Sequence, residues 1–129
     1  MDVFVYGTLA DPEQADQFLY SFEYVGDVVL SGLHRVAGTY PTLAPGGSVE
    51  GRLLRTTDVE MLDRYEGVDR GLYVRVSVPL ETDAADDCAA VYVGDPDPLG
   101  APADWPGTGS FADRVRACLD ANDVRVVPG

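Results

Sequence analysis

Short runs rich in Val, Leu and Tyr recur along the chain, separated by clusters of Gly, Pro and Asp. Runs of this length and composition, bounded by residues that interrupt pairing, are strand signals. They predict strands at residues 2–6, 24–36, 49–55, 72–80 and 88–93. Three other stretches carry the spacing of amphipathic helices. The first follows Asp11-Pro12-Glu13-Gln14: Asp11 can cap, Pro12 suits the first helical position, Gln14 completes a capping box, and Ala15, Phe18 and Leu19 form the apolar face. The second opens at Thr57-Asp58-Val59-Glu60, another capping box, and stops at Gly67, which can take the left-handed conformation of a helix end. The third starts at Ser110 and sets Phe111, Val115, Cys118 and Leu119 on one face.

Residues 94–109 hold four of the nine prolines and read as an irregular loop, in which Trp105 either covers a pocket mouth or anchors the loop. The strands are not followed one by one by helices, which argues against a doubly wound parallel sheet and for a mixed, curled sheet or small barrel with helices packed around it. At 129 residues and 46% hydrophobic content the chain is sized for one domain, residues 1–129. No run approaches the roughly 18 to 20 apolar residues of a membrane span. The expectation is a soluble, unprocessed cytoplasmic protein.

Charge narrows the functional classes. Nine Arg and no Lys stand against 22 carboxylates, 16 of them Asp, for a net charge of −13. That balance argues against nucleic acid and against anionic membranes, both of which need basic residues. It fits adaptation to a salt-rich cytoplasm, with an ordinary acidic protein as the alternative. Cys88 and Cys118 form neither a disulfide framework nor a metal site and read as reduced core residues. His34, the single histidine, has no nucleophile pattern beside it and reads as structural or exposed. The run Asp95-Pro96-Asp97-Pro98 lacks the ligand count and turn glycine of a calcium loop.

Two features can carry chemistry. From Val59, steps of three and seven reach Leu62 and Glu66, so Glu66 shares the apolar face of the second helix, while Glu60 and Arg64 pair on the other side. Burial and the negative end of the helix dipole both raise a carboxyl pKa, as a general base working near neutrality requires. The alternatives are a side chain turned to solvent, or a structural ion pair with Arg70 or Arg75; Asp63 is a rival base at the fringe of the same face. The second feature is Tyr6-Gly7-Thr8-Leu9 between a strand and a capped helix, where Gly7 permits a sharp turn that aims backbone N–H groups at an anion. A plain strand-to-helix turn is the alternative.

The two features occur together with further motifs in a familiar order. Val3-Phe4-Val5-Tyr6-Gly7-Thr8-Leu9 resembles the Tyr-Gly-Ser/Thr-Leu signature of the γ-glutamylcyclotransferase-like superfamily, in its small γ-glutamylamine cyclotransferase or avirulence-induced-gene-like branch. Gly38-Thr39-Tyr40-Pro41, Val49-Glu50-Gly51-Arg52-Leu53-Leu54, Leu62-Asp63-Arg64-Tyr65-Glu66-Gly67 and Tyr73-Val74-Arg75 are similar to successive segments of that family, over about residues 1–95. The resemblance implies an α+β fold, a small curled mixed β-barrel of five to six strands with flanking helices. It implies Glu66 as the catalytic residue and Tyr6, Gly7, Thr8 and Leu9 as the substrate-binding loop. The family chemistry is release of 5-oxoproline and an amine from a small γ-glutamyl compound, by attack of the α-amino group on the γ-carbonyl, with no metal, nucleotide or organic cofactor. A γ-glutamyl-lysine isopeptide as substrate and a non-catalytic ligand-binding domain on the same fold stay as alternatives. Arg35, Arg52 and Arg75 are the strand-borne candidates to meet the substrate's carboxylate.

Overall fold

The structure is a computed structural model that describes residues 1–81 and 87–129 and, at Thr8, the backbone alone. Its strands are β1 (Asp2–Val5), β2 (Phe22–Val36), β3 (Thr42–Thr56), β4 (Tyr73–Pro79), β5 (Cys88–Gly94) and β6 (Arg125–Pro128). Its helices are α1 (Pro12–Phe18), α2 (Val59–Glu66), α3 (Pro96–Leu99) and α4 (Phe111–Ala121), with 3-10 turns at Thr8–Ala10 and Val68–Arg70.

The strands form one sheet in the order β4-β5-β1-β3-β2-β6. All neighbours are antiparallel except β1 and β5, which run parallel. The long β2–β3 ladder shifts register between Tyr24 and Gly26 and between Ser31 and Leu33, and such bulges bend a sheet. The bend brings the two outer strands together: Leu80 bridges Val126, and the Glu81 N–H donates to the Val126 carbonyl at 2.8 Å. The result is the curled mixed barrel with flanking helices that the resemblance implies.

β1 is buried along its whole length because both of its faces are covered. Val3 and Val5 pack with Leu54, Leu62, Ala90 and Tyr92 beneath α1 and α2. Phe4 points the other way, into a core with Leu30, Val91, Trp105, Val115 and Leu119. Asp2 is fully buried, and its carboxylate takes a two-pronged hydrogen bond from Arg55 across the β1–β3 ladder, at 2.8 and 3.2 Å. Gly51 permits the close approach of the same two strands, since a Cβ there would lie 2.4 Å from the Val5 carbonyl oxygen and 2.6 Å from the Phe4 ring.

Several local expectations are corrected. The strand expected at 49–55 begins seven residues earlier, at Thr42, because the Pro45-Gly46-Gly47 interruption is absorbed as a bulge with Gly46 and Gly47 at positive φ. The Thr57–Glu60 capping box does not form: Asp58 is the N-cap residue of α2, and its carboxylate accepts from the Tyr20 and Ser21 amides at 2.8 and 2.9 Å. The 94–109 loop contains α3, capped by Asp95. Trp105 is buried edge-on to Phe111, 6.2 Å between centroids, so it anchors that loop. Cys118 is in the core as expected, but Cys88 is exposed at the start of β5. No helix among the described residues is long and apolar enough to cross a membrane.

Candidate active site

β1 delivers Tyr6 and Gly7 to the rim of a cavity of about 170 Å³, also lined by Leu9 and by Glu66. The backbone turn after Gly7 is a single 3-10 turn in which the Ala10 N–H donates to the Gly7 carbonyl at 3.0 Å. Among the described residues the Gly7 and Leu9 amides have no protein acceptor. The turn is held from outside: the Tyr24 hydroxyl donates to the Leu9 carbonyl at 2.6 Å, and Arg52 Nη1 donates to the Ala10 carbonyl at 3.0 Å. The Arg52 guanidinium lies 3.9 Å over the Tyr24 ring, stiffening that clamp. Those two hydrogen bonds occupy the Leu9 and Ala10 carbonyls. The Thr8 side chain lies outside the described residues.

Gly7 departs from the reason expected for it. Its φ is not positive, and a Cβ built there would meet nothing within 4 Å. The turn therefore does not require glycine for its backbone, and what the missing side chain leaves is open space at the cavity wall.

Glu66 is the last residue of α2, which Gly67 ends at φ 72° with its N–H turned back to the Arg64 and Asp63 carbonyls. Leu62, one turn earlier, is fully buried and docks the helix, and the Tyr65 ring packs against Phe18 of α1, 4.2 Å between centroids and tilted by 50°. Glu66 consequently sits half-buried on the cavity wall. Burial pushes its carboxyl from the ordinary value of 4.5 up to about 7. Among the described residues it has no ion-pair partner: Arg75 pairs instead with Asp63, 3.4 Å away. Asp63 is thereby occupied, because it also accepts from the Tyr92 hydroxyl at 2.6 Å.

The rest of the wall is aromatic. Five of the seven tyrosines, Tyr6, Tyr40, Tyr65, Tyr73 and Tyr92, line the cavity. The Tyr6 hydroxyl donates to the Tyr92 carbonyl at 2.9 Å, and the Tyr73 hydroxyl to the Pro41 carbonyl at 2.6 Å, pinning the 37–41 loop over the site. Burial raises the pKa of Tyr6, Tyr73 and Tyr92, so all three remain neutral donors. Tyr40, Pro41 and Tyr73 occur in the motifs quoted above, but no spacing rule gives them a place at a site. Arg70, the one cation on the wall among the described residues, is a further lining residue that sequence reasoning did not propose for substrate. Of the arginines proposed instead, Arg52 and Arg75 hold protein partners and Arg35 does not line the cavity.

Comparisons with known proteins bear on the family and the fold. A curated relative, AIG2-like protein C of Arabidopsis thaliana, is 37% identical over 76 residues, 53% of this chain; the match spans only 44% of that protein's length. A solved γ-glutamyl cyclotransferase superposes with TM-score 0.63 at 16% identity, covering 95% of this chain and 79% of that one. An uncharacterized protein of Homo sapiens superposes with TM-score 0.65 at 18% identity, covering 94% and 79%. At such identities the structural likeness establishes the fold. A family model for γ-glutamyl cyclotransferase, AIG2-like, matches residues 3–108, which contain the 6–9 turn, Glu66 and every other cavity-lining residue. The chain belongs to the γ-glutamyl cyclotransferase, AIG2-like family.

Proposed function

We propose that the protein is a cyclotransferase that converts a small γ-glutamyl compound to 5-oxoproline and an amine, with Glu66 as its acid/base residue and the 6–9 turn as its substrate cradle. The observation that carries this reading is a half-buried carboxyl pushed by burial to a pKa of about 7, without an ion-pair partner among the described residues, on the same small cavity as a turn whose Gly7 and Leu9 amides have no acceptor among those residues. Ionised Glu66 takes a proton from the substrate's α-ammonium, and the nitrogen lone pair attacks the γ-carbonyl carbon. The new C–N bond closes a five-membered ring and puts negative charge on the carbonyl oxygen. Fixed amide donors stabilise that charge better than water, because they need no reorganisation. When the intermediate collapses, the old C–N bond breaks and Glu66 returns its proton to the departing nitrogen. The second proton shed by the ring nitrogen ends on the product amine as its ammonium.

Nucleophile and electrophile are in one molecule, so the pocket's task is to fold the substrate and exclude water. An aromatic wall whose Tyr6, Tyr73 and Tyr92 hydroxyls are tied to protein acceptors, and so hold the rings in place, suits that task. The test is release of 5-oxoproline from a panel of γ-glutamyl amino acids and amines, by the protein and by Glu66→Gln. The expected result is turnover whose acidic limb of kcat/KM titrates near pH 7, abolished in the variant while ligand binding persists. Absence of 5-oxoproline from every compound would leave a binding domain on this fold.

A further inference from the structure

Away from the active cavity, a second groove of about 330 Å³ lies between β4 and α4. β4 ends the sheet order, and α4 packs beside it. Alternation along the strand turns Val76 into the core and sets Arg75 and Ser77 on the opposite face. Helical spacing divides α4 in the same way: Leu119 is buried in that core, while Arg116 and Asp120, one turn apart, are exposed. These six residues line the groove, giving it two guanidinium groups, a hydroxyl, a carboxylate and an aliphatic floor. We propose that the groove is a second ligand site, for a free aliphatic α-amino acid in its zwitterionic form, with the carboxylate between Arg75 and Arg116 and the ammonium on Asp120. The site does not depend on the cyclotransferase reading.

The protein leaves the charges of this groove open. Arg116 and Asp120 make no ion pair among the described residues, not even with each other. Their order disfavours one, because on a helix the acid is better placed ahead of the base, and here the arginine comes first. Asp120 also sits in the last turn of α4, at the negative end of the helix dipole, and no basic residue shares that turn. A cation brought to Asp120 is therefore attracted by carboxylate and dipole together. Arg75 has one ion-pair contact among the described residues, Nη1 to Asp63 Oδ2 at 3.4 Å, and a guanidinium has five donors. Two such groups from different elements can hold one carboxylate through charge-assisted hydrogen bonds.

Neither half of an amino acid suits the groove alone. A plain anion meets Asp120 and the field of a protein of net charge −13, and a plain amine meets two guanidinium groups. A zwitterion offers each sign to its opposite and carries no net charge into that field. Val76 and Leu119, both buried, give its side chain an apolar floor, which favours an aliphatic group over a polar one.

The test uses L-alanine at pH 7 and constant ionic strength, with propionate and ethylamine as its two halves. Binding is read from the NMR shifts of the Val76, Ser77 and Leu119 amides in the parent protein, in Arg116→Gln and in Asp120→Asn. Saturable shifts are expected with alanine, at least about tenfold weaker binding with either half, and about tenfold weaker alanine binding in each variant, the size of one partly exposed charge-assisted hydrogen bond. Absence of a saturable shift with alanine overturns the proposal. So does propionate binding as tightly as alanine, which would make the groove a plain anion site, or a loss of affinity in only one of the two variants. Shifts confined to Gly7, Leu9 and Glu66 would put alanine in the active cavity and overturn it equally. Both substitutions are at exposed side chains, and the comparison of alanine with its halves in the parent protein needs neither.

Discussion

The Tyr92 hydroxyl donates to Asp63 Oδ1 at 2.6 Å, joining β5 to α2 one helical turn ahead of Glu66. The other carboxylate oxygen of Asp63 faces Arg75 Nη1 of β4 at 3.4 Å. Two strands thus grip the helix whose last residue is the proposed base. Tyr92→Phe keeps the ring and removes the tie, leaving Asp63 with Arg75 alone. The expected effect is a loss of about 1 to 2 kcal/mol of stability, together with a several-fold fall in kcat at nearly constant KM. Steady-state kinetics check it: an unchanged kcat would mean that the tie supports the fold without positioning Glu66.

Glu66 should also cost stability as it ionises. Its folded-state pKa of about 7 exceeds the ordinary 4.5, so the folded state binds the proton more tightly than the unfolded state. Its contribution to stability is therefore fullest below about pH 4.5 and declines as pH rises to about 7. Glu66→Gln, neutral throughout, escapes that decline. Allowing for water at the half-buried carboxyl, the variant should gain about 1 to 2 kcal/mol over the parent between pH 5 and pH 8. Thermal melts of both proteins across that range decide it, and a parallel pH dependence would show that Glu66 is not held at a raised pKa.

Gly7→Val separates backbone need from ligand space. A Cβ at Gly7 meets no protein atom within 4 Å and φ is not positive, so the fold should tolerate the change with little shift in Tm. The added side chain stands where the cavity is open, beside the unused amides. KM should rise at least about tenfold, in line with losing one charge-assisted hydrogen bond. A variant with normal KM would remove the 6–9 turn from the substrate cradle.

Salt should stabilise the protein. A net charge of −13 on a chain of 129 residues repels itself, and at 1 M salt the Debye length falls to about 3 Å. Tm is expected to climb with KCl from dilute buffer to molar concentrations, and KM for an anionic substrate to fall over the same range. Equal melts in dilute buffer and in high KCl would contradict adaptation to a salt-rich medium.

What the sequence made legible was whatever depends on near neighbours. Asp11 capping α1 through the Glu13 amide and Ser110 capping α4 through the Asp113 amide are local devices, and both helices start where those residues place them. β6 escaped notice because Arg125–Pro128 is four residues long and becomes a strand only through the β2 edge it pairs with. Asp58 lies inside the expected Thr57–Glu60 capping box, yet it takes the N-cap place and serves amides 37 and 38 residues away. The same limit applies at the site. Glu66 could be singled out because helical spacing puts it on an apolar face, whereas Tyr92 and the Tyr24–Arg52 clamp acquire their positions from contacts between residues far apart in the chain. Gly51, one residue of a family-like motif, has its reason in three dimensions: the Val5 carbonyl and the Phe4 ring occupy the space a side chain would need.

The placement of β1 between β3 and β5 sets the order in which function can appear on folding. Val3 is paired with Leu54 on one side and Ala90 on the other, so the strand that carries Tyr6 and Gly7 is seated only when the two distant halves of the chain have met. The β2–β3 hairpin, joined by residues 37–41, can zip early because its loop is short. The cavity has no such local precursor, and long-range pairing is slow to form. On the proposed function, partly folded chains, however rich in strand, are expected to be inert, and the return of 5-oxoproline release after refolding would time the arrival of the N-terminal strand between its two partners.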